Sequence, residues 1–217
     1  MNIDQARFNM VEQQVRTWEV LDSRILQLLQ EVPREDFVPS RYAQLAFADL
    51  SIPLEHDQVM MRPIIEGRML QALDLQGSES VLEIGTGSGF VTACLARLAA
   101  TVHSVEYFED LSRRAARKLD DHAVANCQLF VGDALENWEP PQQYDVIVVT
   151  GSVQEIPAQF LRWLQPNGRL FIIVGESPLM EAMLLNKQGD HQTTGKSLFE
   201  TDLQALIHST RPEPFAF

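Results

Sequence analysis

Residues 81–90 read VLEIGTGSGF: a short apolar run, glycines at alternate positions, then a segment with helical periodicity. No other stretch restricts the fold as much. Aliphatic and β-branched side chains running into a glycine turn fit a strand buried on both faces. The glycines allow a tight reversal into a helix, whose first amide groups then face whatever lies above the turn. The same alternation continues downstream. Apolar runs at 80–84, 101–105, 127–131, 144–150 and 168–174 alternate with helical patterns at about 88–99, 108–121 and 155–164. This specifies an α/β fold, with a parallel sheet covered by helices on both faces. The tail breaks the rhythm. MEAMLLNKQ, a Gly189-Asp190 turn and TGKSLFETDLQAL read as a hairpin ending in an antiparallel strand.

Upstream of the alternation the periodicity is helical. Over residues 4–31, Met10, Val11, Gln14, Val15 and Trp18, then Ile25, Leu28 and Leu29, recur at i, i+3, i+4 spacing. Asp22 is placed to cap the second piece. VPREDFVPS (32–40), with Pro33 and Pro39, reads as a turn, and IIEGRMLQALDL after Pro63 returns to helical period. One domain over 1–217 is the simplest organisation: a helical cap at 1–62, a core at 63–177 and a C-terminal hairpin at 178–217.

Charge narrows the function. A net charge of −13 argues against nucleic acid as the main partner, because phosphate binding needs a basic surface. The basic helix LSRRAARKL (111–119) then reads as a solvated face. Cys94 and Cys127 lack metal-ligand spacing; no metal is expected, and both thiols read as inert residues of a reducing compartment. MNIDQARFNM has no basic or apolar leader pattern, and no apolar run reaches the roughly 18 residues that span a bilayer. A soluble, cytoplasmic protein without a membrane partner is expected. Oligomeric state is not legible.

The glycine turn points to a nucleoside cofactor. A dinucleotide fingerprint would place glycine at 90, where Phe90 stands. The spacing Glu83, Gly85, Gly87, Gly89, with Thr86 and Ser88 between, fits the turn that holds S-adenosylmethionine. Glu106 closes the second strand, where a carboxylate accepts both ribose hydroxyls. Tyr107 follows it. Asp133, in VGDA just after the third strand and beside Ala134, is placed to accept from the adenine amino group. Surface carboxylates at strand ends are the plain alternative for either acid alone. Glu83 reads equally as a charge at the edge of the core.

With these residues in hand, the chain resembles the protein-L-isoaspartate O-methyltransferases, a branch of the class I S-adenosylmethionine-dependent methyltransferases. The likeness is carried by MVEQQV, VPREDFVP, AFADLSIPL, QVMMRP, VLEIGTGSGF, VGDA, YDVIVVTGSVQEIP and NGRLFIIVG. The resemblance implies a Rossmann-like seven-stranded sheet with an antiparallel last strand. It also implies methyl transfer to the abnormal carboxylate of isoaspartyl residues, the first step in repair of aged proteins.

One segment departs from the pattern. The family usually reads G-x-G-Q-T-I-S-x-P where this chain reads EHDQVMMRP (55–63). Gln58 and Pro63 are retained; Glu55 and Asp57 replace glycines; Val59 replaces the threonine and Met61 the serine taken as catalytic or substrate-positioning. The acceptor side is therefore expected at Gln58, Val59 and Met61. Arg62 is a candidate clamp for an acceptor carboxylate, and Thr150 lines that side by resemblance. Met60 reads as core filling, and His56 is a candidate base for an acceptor that must lose a proton. Three readings follow: a methyltransferase of protein or peptide carboxylates, a methyltransferase of another small-molecule acceptor, and a cofactor-binding protein without turnover.

Overall fold

The computed structural model describes residues 2–189 and 192–209; the expected turn residue Asp190 lies outside them. Its centre is a seven-stranded sheet: β1 (Ser80–Ile84), β2 (Thr101–Glu106), β3 (Cys127–Val131), β4 (Tyr144–Val153), β5 (Leu164–Glu176), β6 (Leu179–Gln188) and β7 (Gln192–Thr201). The strands lie in the order β3-β2-β1-β4-β5-β6-β7. The first five are parallel, while β6 pairs antiparallel with β5 and β7 antiparallel with β6. The order reverses between β1 and β4, and the crevice over such a switch point is where open α/β sheets bind ligands. The carboxyl ends of β1, β2 and β4 carry Ile84, Glu106 and Val153.

The expected strands are present, and β4 and β5 extend beyond their apolar runs. The helix expected at 155–164 shrinks to Ala158–Arg162. Pro157 at its N-cap position fixes where it can begin.

The N-terminal region is more broken than a single helical stretch. It forms α1 (Ile3–Asn9), a π-helical turn (Met10–Val15), a 3-10 turn (Arg16–Trp18) and α2 (Ser23–Glu31). The wider π turn keeps Met10, Val11 and Val15 together on the buried side. Glu19 then turns the chain with φ of 66°. Asp22 caps α2 as expected, accepting from Arg24 N at 2.8 Å. The buried face of α2 (Ile25, Leu26, Leu28, Leu29) joins the core formed by α4 (Pro63–Leu73) and one face of the sheet. Gly67 permits the close approach of α4: a β-carbon there would lie 2.6 Å from Val15.

VPREDFVPS holds a short helix, α3 (Arg34–Phe37), rather than a bare turn. The reason is Arg34, which is fully buried. Its guanidinium donates to Ala46 O at 2.9 Å and Met61 O at 2.7 Å, pairs with Glu66 on α4, and lies 5.0 Å from the Phe90 ring centroid. One side chain thus ties α3, α4 and the segment ending at Met61 to the helix that follows the glycine turn.

Candidate active site

The 52–61 segment is a small antiparallel ribbon, with Ile52–Pro53 paired to Val59–Met60. Its tip turns through His56 (φ 59°) and Asp57 (φ 56°). Asp57 holds a left-handed conformation where glycine would be unstrained, and aspartate tolerates that region better than most residues. The ribbon leaves Gln58 and Val59 facing the carboxyl ends of β1, β2 and β4. Together they border a cleft with about 670 Å³ of atom-free space, partly open to solvent.

The cleft gathers most of the cofactor residues expected from the sequence. Gly85 and Gly87 form its floor, Glu106 and Tyr107 one wall, Asp133 and Ala134 another, and Thr150 the side towards β4. A β-carbon on Gly85 would collide with Thr150 Oγ1, so the glycine is required there. Thr150 Oγ1 itself donates to Ile84 O at 3.0 Å and also contacts Gly85 O, which spends its hydrogen on the turn.

Glu106 is only 5% exposed. Its two oxygens accept from the amides of Gly87 (2.8 Å) and Phe108 (3.0 Å). Burial raises its pKa, and these backbone donors, with that of Tyr107, pull it back. Each oxygen keeps a further lone pair for a ligand hydroxyl. Asp133 accepts from Leu135 N at 2.9 Å through one oxygen and pairs with His208 Nδ1 through the other. That hydrogen bond raises the pKa of His208.

Other expected residues lie elsewhere. Glu83 does not border the cleft. Its side chain turns into the sheet-helix interface, where Thr92 and Ser104 (2.6 Å) donate to it. The core-edge reading is the one its geometry supports. Gly89 caps α5 (Phe90–Leu98) with φ of 86°, and a β-carbon there would lie 3.1 Å from Ala115. Thr86 and Ser88, with Met61, border a separate small cavity beneath the turn. Arg62 is 41% exposed and faces Asp49 at 3.7 Å, so it is not aimed into the cleft. Met60 is in the core as expected. His56 stacks on Phe108 at 4.1 Å between ring centroids and pairs with Asp110 at 2.7 Å, outside the cleft.

The strap over the cleft is absent from the sequence reading. The expected second hairpin strand stops at Thr201, and the chain then crosses the ends of the parallel strands. Ser152 N donates to Gln204 O and Leu206 N to Ser152 O, both at 2.9 Å, while Ser152 Oγ donates to Leu203 O at 2.8 Å. Gln204, Ala205, Leu206 and Ile207 thereby become part of the cleft wall. Gly151 is the sequence signal for this crossing, since a β-carbon there would lie 2.7 Å from Leu206 and 3.3 Å from Gln204 O. Gly151→Ala should lower unfolding free energy by about 1–3 kcal/mol through overpacking. Urea denaturation reads this, and an unchanged midpoint and slope would show that the strap is not seated on Gly151.

Comparison with known proteins gives this arrangement a family. The family model described as protein-L-isoaspartate(D-aspartate) O-methyltransferase (PCMT) matches residues 5–208. The chain is 36% identical over 198 residues to protein-L-isoaspartate O-methyltransferase 2 of Pelobacter propionicus, covering 91% of this chain and 88% of the relative. It is 40% identical over 169 residues to protein-L-isoaspartate O-methyltransferase of Syntrophus aciditrophicus, covering 78% of each. Among solved structures, a protein-L-isoaspartate O-methyltransferase superposes with a TM-score of 0.80 at 24% identity, over 95% of this chain and 66% of the other. A putative protein-L-isoaspartate O-methyltransferase from Plasmodium falciparum, solved in complex with S-adenosyl-L-homocysteine, gives 0.77 at 18% identity, over 92% and 97%. The last two show a shared fold. The chain belongs to the protein-L-isoaspartate(D-aspartate) O-methyltransferase family of class I methyltransferases.

Proposed function

We propose that this chain transfers a methyl group from S-adenosylmethionine to a carboxylate of a protein or peptide acceptor of the isoaspartyl type. The observation that carries the reading is Glu106. It is a buried carboxylate at the rim of the switch-point crevice, fixed by two backbone amides and still able to accept two hydroxyl donors. A ribose diol matches that acceptor set. Asp133 and Ala134 extend the wall where a nucleobase edge belongs, and Gly85 and Gly87 form the floor under the rest of the donor.

When bound, the donor supplies an electrophilic methyl on a sulfonium. Everything else falls to the protein's own groups. Glu106 and Asp133 hold the nucleoside, the strap from Gln204 to Ile207 limits water, and Gln58 and Val59 bound the acceptor side. An acceptor carboxylate with pKa near 4 is already a nucleophile at neutral pH, so alignment rather than base catalysis is the task. This agrees with the position of His56, which is committed to Phe108 and Asp110.

The acceptor wall is poor in hydrogen-bond donors. Val59 offers none, the Gln58 amide donates to His56 O at 3.0 Å, and the Thr150 hydrogen is spent on the turn. Met61 borders the small cavity, which adjoins the cleft through Val59, Gly85, Gly87 and Thr150. A hydroxyl at 61 donating to one carboxylate oxygen would contribute about 1.5–3 kcal/mol, or roughly 10- to 150-fold in rate. Met61→Ser should therefore raise isoaspartyl methylation about tenfold, despite the stability lost on truncating a buried side chain. Incubation with an isoaspartyl peptide and labelled donor, followed by base-labile methanol release, measures this. No change would put Met61 outside the acceptor path, and no release above a heat-killed control, in either protein, would remove the isoaspartyl activity. The same apolar wall supports a second reading, a different and less charged small acceptor. A base-stable product from a labelled metabolite extract would favour it.

Among the described residues no helix is long and apolar enough to cross a membrane. Cys94 and Cys127 are free thiols whose pKa values burial pushes up, that of Cys127 to about 12. A reducing cytoplasmic setting accords with such unpaired cysteines.

A further inference from the structure

The basic helix read as a solvated face has one side on a groove. Arg114, Arg117 and Lys118 stand at i, i+3 and i+4 on α6 (Glu109–Asp121), so they share one side of it. With Arg41 and the ribbon residues Leu54 and Glu55 they line about 970 Å³ of atom-free space, open to solvent. Four cations against one acid is the reverse of the whole chain, where 30 acids face 17 lysines and arginines. The acids at hand are already engaged: Arg114 pairs with Glu55 and lies 3.6 Å from Asp110, which also holds His56. Arg41 acts on Glu55 only at longer range and lies 5.0 Å from the Tyr42 ring centroid. Arg41 and Arg117 therefore have no ion pair among the described residues. Lys118 donates to Phe37 O, and burial, with nearby Arg114, holds it below the usual lysine range against the pull of Glu55 and Asp36.

We propose that this groove receives an acidic stretch of the acceptor polypeptide, so that the protein favours acceptor carboxylates flanked by glutamate or aspartate. The inference rests on the acceptor reading above. Continuity with the cleft supports it. Gly87 borders both spaces, and Leu54 on the groove side donates its N–H to Gln58 O on the cleft side at 2.8 Å. The two spaces are thus one ribbon width apart. Paired strands lie about 4.8 Å apart and an extended chain rises about 3.3 Å per residue, so roughly two to five residues carry an acceptor from one to the other. Such a chain passes the exposed ribbon tip at His56 and Asp57. Charge selects the occupant. At −13 overall, the chain repels acidic partners, and unpaired Arg41 and Arg117 offset that repulsion where an acceptor must lie. The same net charge disfavours a nucleic acid longer than the groove, whose remaining phosphates would meet acidic surface.

The test uses isoaspartyl peptides that carry either a glutamate pair or a glutamine pair, about three residues before or after the isoaspartyl position. On at least one side the wild type should show a KM about three- to tenfold lower for the glutamate peptide, with kcat unchanged, and raised salt should erase the difference. In the double variant Arg41→Glu/Arg117→Glu the ratio of the two KM values should fall to one or invert. A second readout needs no turnover: fluorescence anisotropy with a glutamate-rich peptide that lacks isoaspartate. The wild type should bind it at least about threefold more tightly than the double variant. Equal KM values on both sides in the wild type, or a preference that persists in the double variant, would overturn the proposal. Tighter capture of a single-stranded RNA of equal charge would overturn it too, by assigning the groove to nucleic acid. No methylation of any peptide, with the glutamate-rich one still bound through Arg41 and Arg117, would instead sink the carboxylate-methylation reading while the groove stands.

Discussion

Glu106→Ala should lower the affinity for S-adenosylhomocysteine by about 100-fold or more. Two hydrogen bonds from ribose hydroxyls to a buried carboxylate are worth about 1.5–3 kcal/mol each, and every 1.4 kcal/mol is tenfold in binding. The substitution also removes the acceptor for the Gly87 and Phe108 amides, so the turn loses its brace. Glu106→Gln separates these effects, because its carbonyl oxygen can still accept from one amide while the negative charge is gone. It should retain the fold and lose about tenfold in affinity. Because burial raises the Glu106 pKa, binding should strengthen as pH rises through its titration and the carboxylate ionises. Equilibrium dialysis with labelled ligand at several pH values measures both. Wild-type affinity in Glu106→Ala would show that the sugar is held elsewhere.

Glu83 should dominate the pH dependence of stability. Burial of the whole side chain pushes its pKa from 4.5 up to about 8, with Ser104 and Thr92 pulling the other way and Glu106 adding to the rise. Between those values the folded chain keeps a proton that the unfolded chain releases. The group's contribution is therefore complete below 4.5 and is lost as pH climbs through about 8. At 1.36 kcal/mol per pKa unit the full loss is on the order of 5 kcal/mol. Glu83→Gln, which mimics the protonated side chain, should remove this dependence. The gap between variant and wild-type unfolding free energies should widen from pH 5 to pH 8.5 in favour of the variant. Parallel curves in urea titrations across that range would show that Glu83 is ionised in the fold.

That result bears on how much the sequence disclosed. The alternation of apolar runs with helical patterns placed β1 and β3 at their observed bounds: β1 is buried on both faces, as its apolar run implies, whereas β3 is the half-exposed edge strand, marked by apolar residues among polar ones. β5 starts earlier, at Leu164, because Leu164 pairs with Tyr144 before the chain bulges through residues 165–168, polar positions that carry no apolar signal, and pairing resumes at Arg169. Glu106, Asp133 and the glycines were legible because strand ends and tight turns have few chemical solutions. Glu83 was ambiguous for a physical reason: its position in the motif is the same whether the carboxylate faces a ligand or the helix behind the strand, and only packing with Thr92 and Ser104 decides. Arg34 was hidden as well. A charge in VPREDFVPS reads as solvated until Glu66, Ala46 and Met61, far away in the chain, are seen around it. The strap escaped because Gln204 and Leu206 bind Ser152 by backbone pairing at the strand end, which leaves no periodicity and marks the sequence only at Gly151.

The most direct test of the account is a calorimetric titration of the purified protein with S-adenosylhomocysteine. One site per chain with micromolar affinity, competed by the methyl donor, is the expected result. Absence of heat at ligand concentrations of about 1 mM, together with an unshifted unfolding temperature, would contradict it, because 1,000-fold saturation of a micromolar site stabilises by about 4 kcal/mol.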